Sequence, residues 1–435
     1  MAHTNRHFRY FWRQFSKDTI LYTEMVMADR IVELKDDPYT LAGYFDYNEV
    51  VENPLVLQLG QSLLLHCVRC TCILLILYLC NLTGGNDPTI LKQAVHIAQT
   101  WGFRHFNLNC GCPSNIVATE SIMGAAMMLD PELTAECCAA MMEVYTESTA
   151  SSTSSPSLDI TPNSTPTSTS VDTNSLPFLS VKCRIGVNDH DSYEQLGHFI
   201  NTIYTRSNVT RFQIHARKAL LNLSTLDNRA IPPLRYDYVY RLITDFPHLQ
   251  FELNGGVESM SDMLYHYQQA PGLSGVMVGR ACVNHPYHWS HIDRALHLIN
   301  SPTDYPSTTA SIEQTLSSIY DCDEHYNYTP SSRGEILDNY MRHCQEQYAR
   351  NANIPRDILL APVYNLFAGE ACCDKFRRSL KKLKTNDPLC ILKYALTLVP
   401  EEVLSQRGGA GNDLTRVFYH EKMPRVSAPM HSRVL

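Results

Sequence analysis

Cys112 is the side chain best placed for proton chemistry. It closes the run Phe106-Asn107-Leu108-Asn109-Cys110-Gly111-Cys112-Pro113, where apolar and polar residues alternate up to a glycine. That period reads as a strand, and Gly and Pro read as the turn leaving it. Thiols in general, with a pKa near ~8.5, hold their proton at neutral pH and can donate it. Cys110 is the rival, two residues earlier on the same strand face. A lone buried cysteine is ordinarily inert packing, the reading given to Cys110 and Cys183.

Other short apolar runs also stop at polar or glycine residues. Gln58 lies near the end of one, Lys182 and Arg184 end a second, and His215, Arg217 and Lys218 follow a third. Asn254-Gly255-Gly256 and Gly279-Arg280 end the last two. Glycine lets backbone N–H groups approach a phosphate, and arginine adds charge-assisted hydrogen bonds. Taken alone, Lys182 could be half of an ion pair and Gln58 a strand-end hydrogen bonder. Their shared place at strand ends favours a site.

These side chains need a scaffold. Strands are expected at Ile20–Met25, Leu55–Gly60, His105–Asn109, Ser180–Arg184, Arg211–His215, Gln250–Asn254 and Gly275–Val278. Helical stretches such as Ile90–Thr100, Glu132–Val144 and Tyr193–Tyr204 lie between them. Regular alternation implies a parallel α/β fold, and polar residues at the strands' C-terminal ends point to a (β/α)8 barrel. The count is seven strands, one short of closure. After Tyr287 the strand pattern stops, and helical periodicity runs from Ile312 to Gln406. That predicts a barrel over 1–305, a helical domain over 306–406 and a disordered tail over 407–435.

The chain has 435 residues, 44% of them hydrophobic, and a net charge of −8. That length accommodates a barrel plus a smaller domain. The charge gives no general support to nucleic-acid binding, but a local footprint is what matters. Lys375, Arg377, Arg378, Lys381, Lys382 and Lys384 form such a run, which is also compatible with a solvated helix face. Fifteen cysteines and no apolar leader imply free thiols in a reducing compartment, hence a cytoplasmic protein, with an organelle left open. No G-x-G-x-x-G opens a helix after a strand, which argues against a dinucleotide fold.

Two segments interrupt the pattern. Residues 61–84 are mostly apolar and admit three readings: a membrane span, a metal site built on Cys67, Cys70 and Cys72, or a retained intron. Arg69 and His66 break the span, which needs about 20 apolar residues, and no second ligand pair follows at zinc spacing. Neither membrane nor metal is therefore expected. Residues 147–176 are nearly all Ser, Thr, Pro, Asp and Asn and are expected to be disordered, on the barrel face away from the site.

The segments HFRYFWR, LYTEMV, LVLQLG, NLNCGCPSNIV, VKCRIGV, IHARKALLNLS, NRAIPPLRYDYVY, ELNGGV and VMVGRA occur in one order over most of residues 3–290. In that order the chain resembles the tRNA-dihydrouridine synthases, DusA type, which act at positions 20 and 20a. The resemblance implies a TIM-type flavin barrel with a C-terminal helical domain that grips tRNA. The family's first strand, roughly Ala-Pro-Met, has no counterpart, because Met1 falls where that strand ends. The N-terminus therefore reads as truncated; a genuine short form would leave the barrel with an open seam.

The implied cofactor is FMN, with NADPH or NADH as reductant, since no side chain donates hydride. Gln58, Lys182, His215, Asn254, Gly255, Gly256, Gly279 and Arg280 are its expected contacts. The family places its cysteine between Gly and Pro, which selects Cys112 as the acid protonating C5 while hydride reaches C6. Asn109, Arg184, Arg217 and Lys218 are expected to hold the flipped-out nucleotide. The expected activity is reduction of a D-loop uridine by a monomer. A flavin barrel acting on free pyrimidines, and a non-catalytic tRNA-binding or truncated, defective form, remain as alternatives.

Overall fold

The computed structural model describes residues 4–45, 52–60, 86–113, 123–151, 178–300, 311–320 and 329–408. The 61–84 segment, most of the 147–176 tract and nearly all of the expected tail lie outside them.

The strands are β1 (Leu21–Tyr22), β2 (Val26–Met27), β3 (Leu55–Gly60), β4 (His105–Cys110), β5 (Leu179–Arg184), β6 (Arg211–His215), β7 (Gln250–Asn254) and β8 (Gly275–Met277). All pairings are parallel, in the order β1-β3-β4-β5-β6-β7-β8, and β2 also pairs with β3. Helices Pro88–Thr100, Pro131–Ser151, Tyr193–Ser207, Tyr236–Asp245 and Met260–Gln269 connect them. This is a curled parallel sheet of TIM-barrel type.

Of the strand expected over Ile20–Met25 only Leu21–Tyr22 forms, and β2 begins just beyond it at Val26. The Gln58 N–H donates to Thr23 Oγ1 at 3.1 Å, so a hydroxyl stands where a ladder carbonyl would. Since β1 and β2 both pair with β3, the described strands occupy seven positions. Among the described residues no strand joins β8 to β1. All three residues of β8 are half-buried, whereas the interiors of β3 to β7 are largely buried. The curled sheet thus stays open between β8 and β1 among the described residues.

Inside the curl the side chains are polar. Gln58 Nε2 donates to Asn107 Oδ1 at 3.0 Å, and Asn107 Nδ2 donates to Ser180 Oγ at 2.9 Å and Gln213 Oε1 at 2.8 Å. Gln213 Nε2 donates to Glu252 Oε1 at 3.0 Å, and Glu252 pairs with Arg211 at 2.9 Å. Buried amides and carboxylates are tolerated when paired in this way. The alternating apolar residues point outward onto the helices: Phe106, Leu108, Val181, Phe212 and Phe251 are at most 1% exposed.

Helix boundaries follow local chemistry. Asp87 caps Pro88–Thr100 by accepting from Thr89 N, with Pro88 in the first turn. Ser192 and Gln195 form a capping box on Tyr193–Ser207. The helix expected to end at Val144 runs to Ser151, so the first residues of the Ser/Thr-rich tract are helical.

The C-terminal region is helical, including Arg333–Arg350, Cys373–Lys382 and Pro388–Leu396. It shares one core with the barrel through the helix Arg6–Trp12. His7 Nδ1 lies 2.9 Å from His343 Nε2, the Tyr10 ring stacks on His343 at 4.0 Å, and Phe11 meets the fully buried Tyr340 edge-on at 5.5 Å. Arg407, placed in the expected tail, instead bridges Ser332.

Burial, reinforced by nearby cations, lowers His7 to about 3 and His343 to about 4. A histidine depressed below its unfolded value of about 6.5 contributes stability that is complete above that pH and is lost as pH falls towards the folded value. Stability should therefore decline between pH 6.5 and about 4. In urea unfolding, His343→Gln should lose on the order of 2 kcal/mol less than the wild type across that window. Equal losses would show that the histidine pair does not carry the effect.

Candidate active site

The turn after β4 is pinned from two sides. Asn109 Oδ1 accepts from Gly111 N at 2.9 Å and Cys112 N at 3.1 Å, and the Cys112 carbonyl accepts from Ala125 N at 2.9 Å. Gly124 has φ +53°, and a Cβ there would lie 2.5 Å from that carbonyl, so only glycine fits. Cys112 is half-buried and lines the cavity at the strand ends. Cys110 is fully buried, with its sulfur 3.9 Å from that of Met127, and burial pushes its thiol well up. Burial likewise raises Cys183 to about 12.

Arg184, at the end of β5, is 3% exposed. Its Nε donates to Gly111 O at 2.9 Å, and its Nη1 donates to Lys218 O at 3.0 Å and Asn228 O at 3.1 Å. It clamps the cysteine turn to the loop after β6. Burial lowers it to about 10. Burial, with Arg184 nearby, lowers Lys182 to about 8. Burial and the cations Lys182, Arg184, Arg217 and Arg280 lower His215 to about 2, so its ring is neutral near pH 7.

Beyond His215 the floor becomes bare backbone. Gly255 has φ +108°, and a Cβ on it would approach His215 Cδ2 to 2.5 Å. Asn254 Nδ2 donates to Met277 O at 2.7 Å and ties β7 to β8, and Tyr236 Oη donates to Gly255 O at 2.8 Å. A Cβ on Gly279 would meet open space. Arg280 is exposed beside it and has no carboxylate partner among the described residues. Side-chain-free backbone next to an unpaired guanidinium fits a phosphate group.

One cavity of about 1420 Å³ gathers most of the expected residues. Gln58, Asn109, Cys112, Lys182, Arg184 and His215 line it, as do Asn254, Gly255, Gly256, Gly279 and Arg280. It continues along the open seam past Tyr22 and Val276 to Phe178 and Trp289 at the other end. Arg217 and Lys218 are not brought to it. Arg217 donates to Pro232 O, and Lys218 pairs with Asp191 at 2.8 Å and donates to Asn188 O at 3.0 Å. Arg229, not singled out from the sequence, does line it. It closes a single 3-10 turn, Asp227–Arg229, too short for any periodicity to mark a residue as facing inward.

The family model for dihydrouridine synthase (Dus) matches residues 1–71, 82–151 and 168–356. The chain belongs to this family. The unmatched stretches 72–81 and 152–167 fall inside the two segments expected as inserts. Among its relatives is the tRNA-dihydrouridine(20/20a) synthase of Vibrio parahaemolyticus, 32% identical over 92% of this chain and 95% of that protein. The enzyme of the same name from Shigella flexneri is 33% identical over 92% and 91%. That from Synechocystis sp. is 35% identical over 73% and 75%. The names of these relatives give tRNA as what those synthases act on. No helix among the described residues is long and apolar enough to cross a membrane, and no metal-binding cluster occurs among them.

The Arg184 clamp gives this synthase a specific weakness. Lysine offers a point charge without the planar fork that reaches three carbonyls. Arg184→Lys should lower dihydrouridine formation by about 10²-fold, the scale of a 1 Å misplacement at a reacting group. Turnover of tRNA, with flavin content measured in parallel, checks this. Activity within twofold of wild type would remove the clamp from the argument.

Proposed function

We propose that this chain reduces a D-loop uridine of tRNA at position 20 or 20a to 5,6-dihydrouridine, using FMN and NADPH. The observation that carries the reading is the meeting of Cys112, Lys182, His215 and the Gly255-Gly256/Gly279-Arg280 cradle around one cavity. Gly255, Gly256, Gly279 and Arg280 would hold the phosphate of FMN, and Gln58, Lys182 and His215 its ring. When bound, FMN would supply the hydride for C6, with NADPH as its reductant.

The chain's own groups do the rest. Cys112 Sγ gives its proton to C5 from the opposite side and is reprotonated by solvent. The Asn109 turn and the Arg184 clamp hold that thiol in place. Lys182, with its charged form disfavoured by burial, gains from an electron-rich neighbour. His215, neutral, offers a hydrogen bond without adding charge. Arg229 faces the same space and suits the uracil carbonyls or a phosphate.

The test is direct. Purified protein should carry non-covalent FMN. Cys112→Ala should keep the flavin and its reduction by NADPH yet lose about 10²–10⁴-fold in dihydrouridine formation, the usual worth of a general acid. Cys110→Ala should be mild. A colourless, folded protein that takes up no added FMN would sink the cofactor reading, and a reversed order of the two mutants would sink the proton assignment.

The helix Cys373–Lys382 supplies the grip on tRNA. It buries Phe376 and Leu380 and exposes Lys375, Arg378, Lys381 and Lys382, with Lys384 just beyond. Arg377 is partly held inward, donating to Asn365 Oδ1 at 2.6 Å. Affinity for tRNA should fall with log salt at roughly −0.7 to −0.9 per phosphate contacted. Neutralising the five exposed cations should flatten the slope and weaken all tRNAs alike, because phosphate contacts position rather than specify. An unchanged slope in filter binding would leave this helix without that role.

A further inference from the structure

The loop from Ala216 to Arg235, which follows β6, is more rigid than a connecting loop requires. Asn228 is fully buried at its centre. Its Oδ1 accepts from Leu220 N at 2.7 Å, and its Nδ2 donates to the carbonyls of Leu220, Leu223 and Ser224 at 2.8, 3.1 and 3.1 Å. Its own carbonyl receives the Arg184 clamp. Asp227 O accepts from Ala230 N at 2.9 Å and Ile231 N at 2.8 Å, and Arg217 holds Pro232 O.

This braced turn divides its side chains. Thr225 and Arg229 line the cavity that holds Cys112. Leu226 and Ile231 point into solvent, 69% and 60% exposed. One exposed leucine is ordinary. Two large aliphatic side chains on one braced turn, bracketing the arginine that faces the cavity, have no packing role in the described structure. Apolar groups displayed at a binding rim mark a contact surface.

The chemistry below the rim names the occupant. A uracil reaching Cys112 must leave its stack, which exposes the faces of its neighbours. Apolar side chains that enter an opened base step recover part of that stacking. Arg229, between the two aliphatic residues, supplies positive charge suited to the strand's phosphates, whereas Arg235 at the end of the loop is already paired with Asp237 at 2.8 Å. We propose that Leu226 and Ile231 form an apolar wedge that packs against the bases flanking the extruded uridine and keeps the gap open. The proposal rests on the tRNA-uridine reading above.

The experiment compares the full-length wild type with Leu226→Ser, Ile231→Ser and the double variant, using tRNA with 2-aminopurine beside the target uridine. Wild type should brighten the probe on binding and form dihydrouridine. The double variant should show a rise in KM for tRNA of about tenfold, the scale of one lost base stack, and a dimmer probe. Its salt slope should match wild type, since no charge is removed. Leu226→Met with Ile231→Val should restore both signals. Wild-type KM and brightness in the double variant would overturn the wedge, as would a variant that converts a wild-type dimer to monomer without changing either. If wild-type protein forms no dihydrouridine, the functional reading fails first and the wedge falls with it. Loss of bound flavin in the double variant would refute the wedge by making the pair a folding element.

Discussion

The structure depends on a line of buried hydrogen bonds across the interior of the sheet. Gln58, Asn107, Gln213, Glu252 and Arg211 join strand to strand. Each member is costly to bury alone and tolerable only with its neighbours in place. A one-residue slip in any strand would turn its polar member onto the helices and an apolar one into the chain. Register is therefore specified from within. It then fixes the level of the strand ends, where Asn109 stands opposite Lys182, Arg184 opposite His215, and His215 opposite Asn254.

The site built on those ends is electrostatically one-sided. Lys182 and Arg184 are held below their ordinary pKa, and burial outweighs every favourable contact they make. Such crowding is unfavourable in the free protein and is relieved by an anion. The strain is part of what the cavity can use for binding, at some expense in stability.

Much of the frame was legible from side-chain period. Leu55–Gly60, Arg211–His215 and Gln250–Asn254 are strands with the expected bounds, because runs bounded by turn residues leave little choice. The alternation Phe106-Asn107-Leu108-Asn109 reads as a strand with one wet face, yet Asn107 is fully buried. The inside of a barrel is closed on itself, which a period-two pattern does not reveal. The break at Thr23 was also hidden, since a hydroxyl replacing a carbonyl leaves no trace in hydrophobicity. At the candidate site, strand-end position picked out Lys182, His215 and Arg280, all of which line the cavity. It did not separate Arg217 and Lys218, which turn back to loop partners, from Arg229, which turns inward. Direction within so short a turn is set by tertiary hydrogen bonds such as those of Asn228, not by spacing.

The clamp at Arg184 carries an evolutionary corollary. All three of its partners are main-chain oxygens, on Gly111, Lys218 and Asn228. Every residue type carries that acceptor. The clamp therefore places no demand on which side chain occupies position 218, while it demands a planar, three-way donor at position 184. Mutational tolerance across this contact is lopsided: one end can drift through sequence space under other pressures, and the other cannot move without the cysteine turn moving with it.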